Sequence, residues 1–133
     1  MDLKKRIIID GDDLTSAIKR GIDKLSNTVK ITMGPKGKLV LIQREHQHPI
    51  VTKDGVTVAN AINLQDETEN LGAQIIKEAA ARTADEAGDG TTTATVLAQS
   101  IYNEGLKMIA AGFDRVGIKK GIQVAVETTV KQI

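Results

Sequence analysis

Hydrophobic positions along the chain alternate between helical and strand-like spacing. Leu14, Ala17, Ile18, Gly21, Ile22, Leu25 and Val29 fall on one face at helical spacing, with Asp12 or Asp13 placed to cap the helix and Gly34-Pro35 to end it. Ahead of this helix, Lys4–Ile9 is short and β-rich and reads as a lone strand, which needs a partner edge. Leu39–Ile42 and Pro49–Thr52 are short strand-like runs around the polar tip Gln43–His48, the pattern of a β-hairpin. Asp54-Gly55 is a turn and Val56–Ile62 a short helix. Asp66-x-x-Glu69 resembles a capping box; Leu71, Ile75, Ala79 and the following alanines carry a second long helix to about Ala87, with Gly88 at the left-handed C-terminal cap. A third helix places Ala94, Leu97, Ala98, Ile101, Gly105 and Met108 on one stripe and ends at Gly112. Asp114 caps a fourth, whose stripe (Ile118, Ile122, Ala125, Val126, Thr129, Ile133) is still running at the last residue, as in a chain that ends in mid-helix. The expected fold is mainly α: an antiparallel helical bundle of about four long helices, a small β-hairpin and an N-terminal strand. There is no internal repeat, low-complexity segment or linker.

Composition adjusts this picture. At 133 residues the size favours one domain. Tyr102 and Phe113 are the only aromatics, so the core is built from Ile, Val, Leu and Ala. Such a core buries little area per residue, a first hint that packing is completed against something else. Eighteen Lys and Arg face seventeen Asp and Glu, a balance of +1, so no general field attracts nucleic acid or an anionic membrane. The basic cluster Lys4-Lys5-Arg6 lies beside Asp10, Asp12 and Asp13 and reads as a solvated edge. The scarcity of aromatics also removes the stacking platforms of single-strand binders. The absence of cysteine excludes disulfides, thiol catalysis and Cys zinc sites, and fits a reducing compartment. No apolar run is long enough for a membrane span or a signal-peptide core, which makes the cytoplasm or an organelle matrix the default compartment. His46 and His48 form an H-x-H pair at the hairpin tip without a third ligand nearby, and read as exposed tip residues.

The stretch with most chemistry is Gly88-Asp89-Gly90-Thr91-Thr92-Thr93-Ala94-Thr95. Its second half is a helix N-terminus, where free N–H groups and the helix dipole favour an anion. Glycines allow close backbone approach, hydroxyls add donors, and Asp89 suits a hard cation such as Mg²⁺ bridging to that anion. The alternative is a plain helix corner with an Asp-Gly turn and a Thr cap. Against it, three consecutive β-branched Thr are poor helix formers where one cap would suffice. The loop lacks the spacing and the Lys of a Walker A motif. Thr32-Met33-Gly34-Pro35-Lys36-Gly37 is a second Gly-rich turn and Thr52-Lys53-Asp54-Gly55 a third; each alone reads as a helix stop or a cap. Together they supply the parts of an ATPase: two loops for phosphates, and Asp89 and Asp54 for metal binding and water activation.

These motifs, in this order and spacing, resemble the N-terminal part of a group I chaperonin, the ring-forming Hsp60 type. The resemblance spans essentially the whole chain. It is carried by Val29–Gly37, by Ile50–Ala59, by Glu69-Asn70-Leu71-Gly72-Ala73-Gln74, and by Ala87–Gln99 around the Gly-Asp-Gly-Thr-Thr-Thr loop. It implies that residues 1–133 are the first half of an equatorial, nucleotide-binding domain using ATP, Mg²⁺ and K⁺. Thr32, Met33, Gly34 and Pro35 would then line the nucleotide pocket, and Thr32 and Lys53 would hold K⁺ through their backbones, with Lys53 near the phosphates. Asp89 would hold Mg²⁺, Gly90, Thr91, Thr92 and Thr93 would contact phosphates, and Asp54 matches a carboxylate linked to hydrolysis. The hairpin Leu39–Thr52 looks like the family's stem-loop, which pairs with a neighbouring subunit's terminal strands and would give Lys4–Ile9 a partner. The implied function is ATP-dependent protein folding by a homo-oligomeric, seven-membered ring. Hinge, apical and second equatorial segments would lie beyond Ile133; the apical domain would bind clients and a co-chaperonin, and the second equatorial half would supply the base-contacting residues and another acidic residue for hydrolysis. Met33 stands where Leu is usual, Leu39 where a polar residue is common, and the hairpin tip is atypical, which puts the inter-subunit pairing in question. A second reading is a ring-interface module without ATPase activity of its own. An unrelated kinase-like protein would need a base pocket and a transfer acceptor, and neither is visible.

Overall fold

Helix boundaries follow local chemistry. Asp66 caps one helix by accepting the Glu69 N–H at 2.8 Å, and Asp114 caps another by accepting the Gly117 N–H at 2.7 Å. Gly88 closes the first of these in the left-handed region (φ +72°), its N–H returning to the Ala84 carbonyl at 2.9 Å. All three were expected from sequence. The computed structural model describes residues 11–44 and 46–133; the expected strand Lys4–Ile9, the basic cluster Lys4-Lys5-Arg6 and Asp10 lie outside them. In order the elements are α1 (Gly11–Lys30), β1 (Val40–Arg44), β2 (Gln47–Thr52), α2 (Gly55–Ala61), α3 (Glu67–Ala87), α4 (Thr91–Ala110) and α5 (Arg115–Gln132). The chain is thus mainly helical, with four long helices and one hairpin among the described residues. Asp12 and Asp13 lie within the first turn of α1 rather than before it, where their charge still complements the helix dipole.

The hairpin reaches further into the polar tip than expected. Val40, Leu41 and Ile42 pair with Thr52, Val51 and Ile50; after a register shift Arg44 pairs with Gln47. Ladder hydrogen bonds are indifferent to side-chain polarity, so Arg44 and Gln47 extend two exposed strands. His46 adopts φ +57° in the turn while His48 lies in β2, and no group of three potential metal ligands occurs among the described residues.

The chain divides into two units, Met1–Gln99 and Ser100–Ile133. In the first, the core is Ala17, Ile22, Leu25 and Val29 of α1, Val58 and Ala59 of α2, and Ala73, Ile76 and Ala80 of α3. The α1–α3 crossing is made by two glycines. A Cβ on Gly21 would stand 1.8 Å from the Glu69 carbonyl oxygen, and one on Gly72 would stand 2.2 Å from that of Ile18, so the two backbones touch. This close approach selects the buried face of α3. Gly72, Ala73, Ile76 and Ala80 are buried, whereas Leu71 (56% exposed) and Ile75 (51% exposed), expected in the core, face outward. The capping box is half formed. Asp66 plays its part, but the Glu69 carboxylate accepts instead from Arg20 Nε (2.8 Å) and Lys24 Nζ. These cations hold it below the usual carboxylate range, Lys24 more than Arg20.

The second unit joins the C-terminal half of α4 to α5 through a glycine turn at Gly112, where the Phe113 N–H reaches the Met108 carbonyl at 3.1 Å. Ile101, Gly105 and Met108 of the expected α4 stripe meet Ile118 and Ile122 of α5 along an open apolar groove of about 470 Å³. No residue of α5 is buried, and its expected core stripe is largely exposed, including Val126 (51%) and Ile133 (101%). No helix among the described residues is long and apolar enough to cross a membrane.

Candidate functional site

Two of the three Gly-rich turns, far apart in sequence, meet within the first unit, against the last turn of the helix that leads into the other. Gly55, the buried first residue of α2, is the meeting point. A Cβ there would lie 2.0 Å from Thr92 Oγ1, 3.2 Å from Thr92 Cβ and 3.3 Å from Val29 Cγ1. Val29 leads into the turn of Thr32–Gly37, Gly55 follows Lys53-Asp54, and Thr92 opens α4 after Gly88-Asp89-Gly90. The residues singled out from sequence therefore belong to adjoining segments. Nothing in the local sequence announces the contact; the one signal is that Gly occupies the first position of a short helix, where larger residues serve as well.

The first turn is closed on itself. Thr32 is buried, and its N–H and hydroxyl both donate to the Val29 carbonyl, at 3.0 and 2.7 Å. Lys38 N–H returns to the Ile31 carbonyl at 2.8 Å. None of the turn's backbone hydrogen bonds uses the Thr32 carbonyl, which packs against Gly37 so closely that a Cβ there would stand 2.2 Å from it. Met33, Gly34 and Pro35 are exposed.

In the second turn Lys53 is exposed and Asp54 caps α2. Asp54 Oδ2 accepts from the Thr57 N–H at 2.9 Å and the Thr57 hydroxyl at 2.6 Å, and the Asp54 N–H donates to Thr52 Oγ1 at 3.0 Å. The Thr57 bonds, hydroxyl before amide, keep the carboxyl below its ordinary value. Asp54 is therefore a fixed anion with one oxygen committed to the helix. A carboxylate so stabilised is a weak base; it suits orienting a water better than wholly deprotonating one.

In the third turn Asp89 is exposed between two glycines of positive φ, Gly88 (+72°) and Gly90 (+80°), and its Oδ1 accepts the Gly90 N–H at 2.6 Å. The Gly90 N–H is thereby committed to Asp89, while the N–H groups of the first turn of α4, which starts at Thr91, have no partner within the helix and suit an anion. The hydroxyls of α4 divide by role. Thr95 is buried and donates back to the Thr91 carbonyl at 2.9 Å. Thr92 has its hydroxyl against Gly55, while Thr93 is exposed and Thr91 half-buried. The position before α4 is Gly90, whose carbonyl accepts the Ala94 N–H at 2.9 Å, so the three threonines lie inside the first turn and none is spent as the cap. The donor set fits a phosphate with a hard cation: one carboxylate, adjacent N–H groups, and hydroxyls without protein partners. Such a cation takes most of its remaining ligands from phosphate oxygens and water. About two turns into α4, Gln99 ties the helix to α1: its Nε2 donates to Asp23 Oδ1 at 2.8 Å and Asn27 Oδ1 at 3.2 Å.

Comparison with known proteins gives this geometry a context. The chaperonin gp146 from the bacteriophage EL 2 (Pseudomonas aeruginosa), crystallised in the presence of ATP-BeFx, is similar over 90% of this chain, with 34% identity and a TM-score of 0.71. A group III chaperonin in the open state is similar over 87%, with 28% identity and a TM-score of 0.74. The chain spans 20% and 23% of the lengths of these two proteins. The model of the TCP-1/cpn60 chaperonin family matches residues 25–133, which takes in all three turns and the contact that joins them. By sequence and by fold, then, the chain belongs to the TCP-1/cpn60 chaperonin family.

Proposed function

We propose that these residues form the phosphate-binding half of the ATP site of a chaperonin subunit, the N-terminal segment of its equatorial domain. The observation that carries this reading is the contact of Gly55 with Thr92 and Val29, which brings the helix N-terminus after Gly90, its unpaired hydroxyls and a fixed carboxylate into adjoining segments. Asp89 holds Mg²⁺, and Gly90, Thr91 and Thr93 face the phosphates. Thr32, Met33, Gly34 and Pro35 border the nucleotide, and the carbonyls of Thr32 and Lys53 serve K⁺. Bound Mg²⁺ supplies charge neutralisation of the phosphates. Asp54 orients the attacking water with the carboxylate oxygen that Thr57 leaves unused. The complete subunit is an ATPase of group I type that assists folding in a cytoplasmic or matrix-located homo-oligomeric ring. Clients and co-chaperonin are bound by parts of the subunit outside these residues.

The experiment is a nucleotide titration and a phosphate-release assay on the full assembled protein. Asp89→Ala abolishes Mg²⁺-dependent ATP binding; unchanged affinity refutes the assignment. Asp54→Ala slows release while leaving affinity largely intact, and turnover at the parent rate refutes its role. The exposure of α5 favours a second reading for the 133-residue chain by itself, a segment without independent turnover. Steady phosphate release from that chain contradicts it.

A further inference from the structure

The Gly55–Thr92 contact joins two pieces that are each rigid. Asp54 is tied to the first turn of α2 by two bonds from Thr57, and to the strand before it by the bond from its own N–H to Thr52. Thr92 is the second residue of α4, whose first turn packs inward through the buried Thr95 and which Gln99 ties to α1 about two turns on. Between them lies no space: the Gly55 Cβ position is 2.0 Å from Thr92 Oγ1, against the ordinary van der Waals contact of about 3.4 Å. We propose that this contact is a joint that sets the distance from Asp54 to the phosphate loop, and that Gly55 is a positioning residue for hydrolysis. The inference rests on the nucleotide reading above.

The physical reason is that nothing larger than hydrogen fits without a shift of Thr92 or of the segment that carries it. An Ala methyl must either push α4's start back or rotate Thr92 about χ1; the first changes the distance across the site, and the second takes the hydroxyl from its place and still leaves the Thr92 Cβ only 3.2 Å from the methyl. An error of this size at a reacting geometry can cost about a hundredfold in rate. Phosphate binding draws on N–H groups and hydroxyls of one segment, which moves as a body, so affinity is far less sensitive. Val29, the third party to the contact, is 1% exposed and cannot yield, which directs the displacement onto Thr92.

The test compares Gly55→Ala, Thr92→Ala and the double variant in the full assembled protein, measuring Mg-ATP affinity and phosphate release separately. Gly55→Ala lowers kcat at least tenfold with Kd changed less than about threefold. In the Thr92→Ala background, where the obstructing hydroxyl and Cβ substituents are gone, adding Gly55→Ala costs less than about threefold in kcat. A Gly55→Ala protein with parent turnover overturns the proposal, as does a double variant that loses a further tenfold relative to Thr92→Ala. The second comparison decides the matter even if Gly55→Ala alone fails to fold. A parent protein that binds no Mg-ATP refutes the nucleotide reading itself. A parent that binds and hydrolyses while Gly55→Ala does the same refutes only the joint.

Discussion

The α1–α3 crossing and the α4–α5 pair are both built from amphipathic helices with glycines on the meeting side, yet only the first is closed. At the crossing Gly21 and Gly72 let backbone meet backbone, and Ile22, Leu25, Ala73 and Ile76 around them are at most 2% exposed. In the α4–α5 unit a Cβ on Gly121 would meet nothing within 4 Å, and one on Gly105 would only reach Ile118 at 3.9 Å. The groove between those helices stays open, with Ile101, Met108 and Phe113 each more than two-fifths exposed. Glycine on a helix face thus carries opposite meanings. In the crossing it is the close contact itself, while in the open pair it is a helix weakness with no compensating contact.

Four tests separate the closed crossing from the open pair, each followed by the unfolding midpoint of the full protein. The largest effect belongs to Gly72→Val, whose Cβ would press on the Ile18 carbonyl; we expect a loss of about 3 kcal/mol or more as the helices separate. A midpoint unchanged from the parent would mean that the two backbones do not touch. Next, Leu25→Ala at a fully buried site costs about 2–4 kcal/mol, whereas Val130→Ala at a 65% exposed site of α5 changes stability by less than about 0.5 kcal/mol. Equal losses would show that α5 packs as firmly as α1.

A third test uses the ion pairs that brace the crossing. Lys24 and Arg20 lower the Glu69 carboxyl in the folded protein, so its contribution is fully present above the ordinary glutamate range. It is lost as pH falls through the lower folded value. The parent should therefore lose stability more steeply than Glu69→Gln below about pH 4.5. Parallel pH profiles would remove Glu69 from the account. The smallest effect is a gain: Gly121→Ala should stabilise α5 by about 0.5–1 kcal/mol, since the methyl meets no neighbour. A loss there would reveal close packing against that face.

Much of the architecture was legible because its causes are local. Asp66, Asp114, Gly88 and Gly112 mark helix ends through bonds to residues within a few positions, which a linear reading can see. The buried face of α3 differs from the expected one for the complementary reason. Leu71 and Ile75 are more hydrophobic than Gly72 and Ala73, so periodicity puts them inside. The structure buries the smaller residues because α1 approaches at Gly72, and bulky side chains on that face would hold it away. Glu69 left its capping-box role likewise, because Arg20 and Lys24 arrive from α1 with charges that a backbone N–H cannot match.

The candidate site divides along the same line. Residue types and spacing alone marked Gly88–Thr95, Thr32–Gly37 and Thr52–Gly55 as turns able to serve a phosphate and a cation, and carried the family resemblance that the comparisons bear out at the level of the TCP-1/cpn60 family. Tertiary structure alone decided that Thr95 is a buried packing residue, that the Thr92 hydroxyl rests on Gly55, and that both meet Val29 at the end of α1. Helix caps and glycine turns are set by hydrogen bonds within one turn of chain, whereas a contact between distant segments depends on how closely α1, α2 and α4 approach, a distance set by the smallest side chain between them.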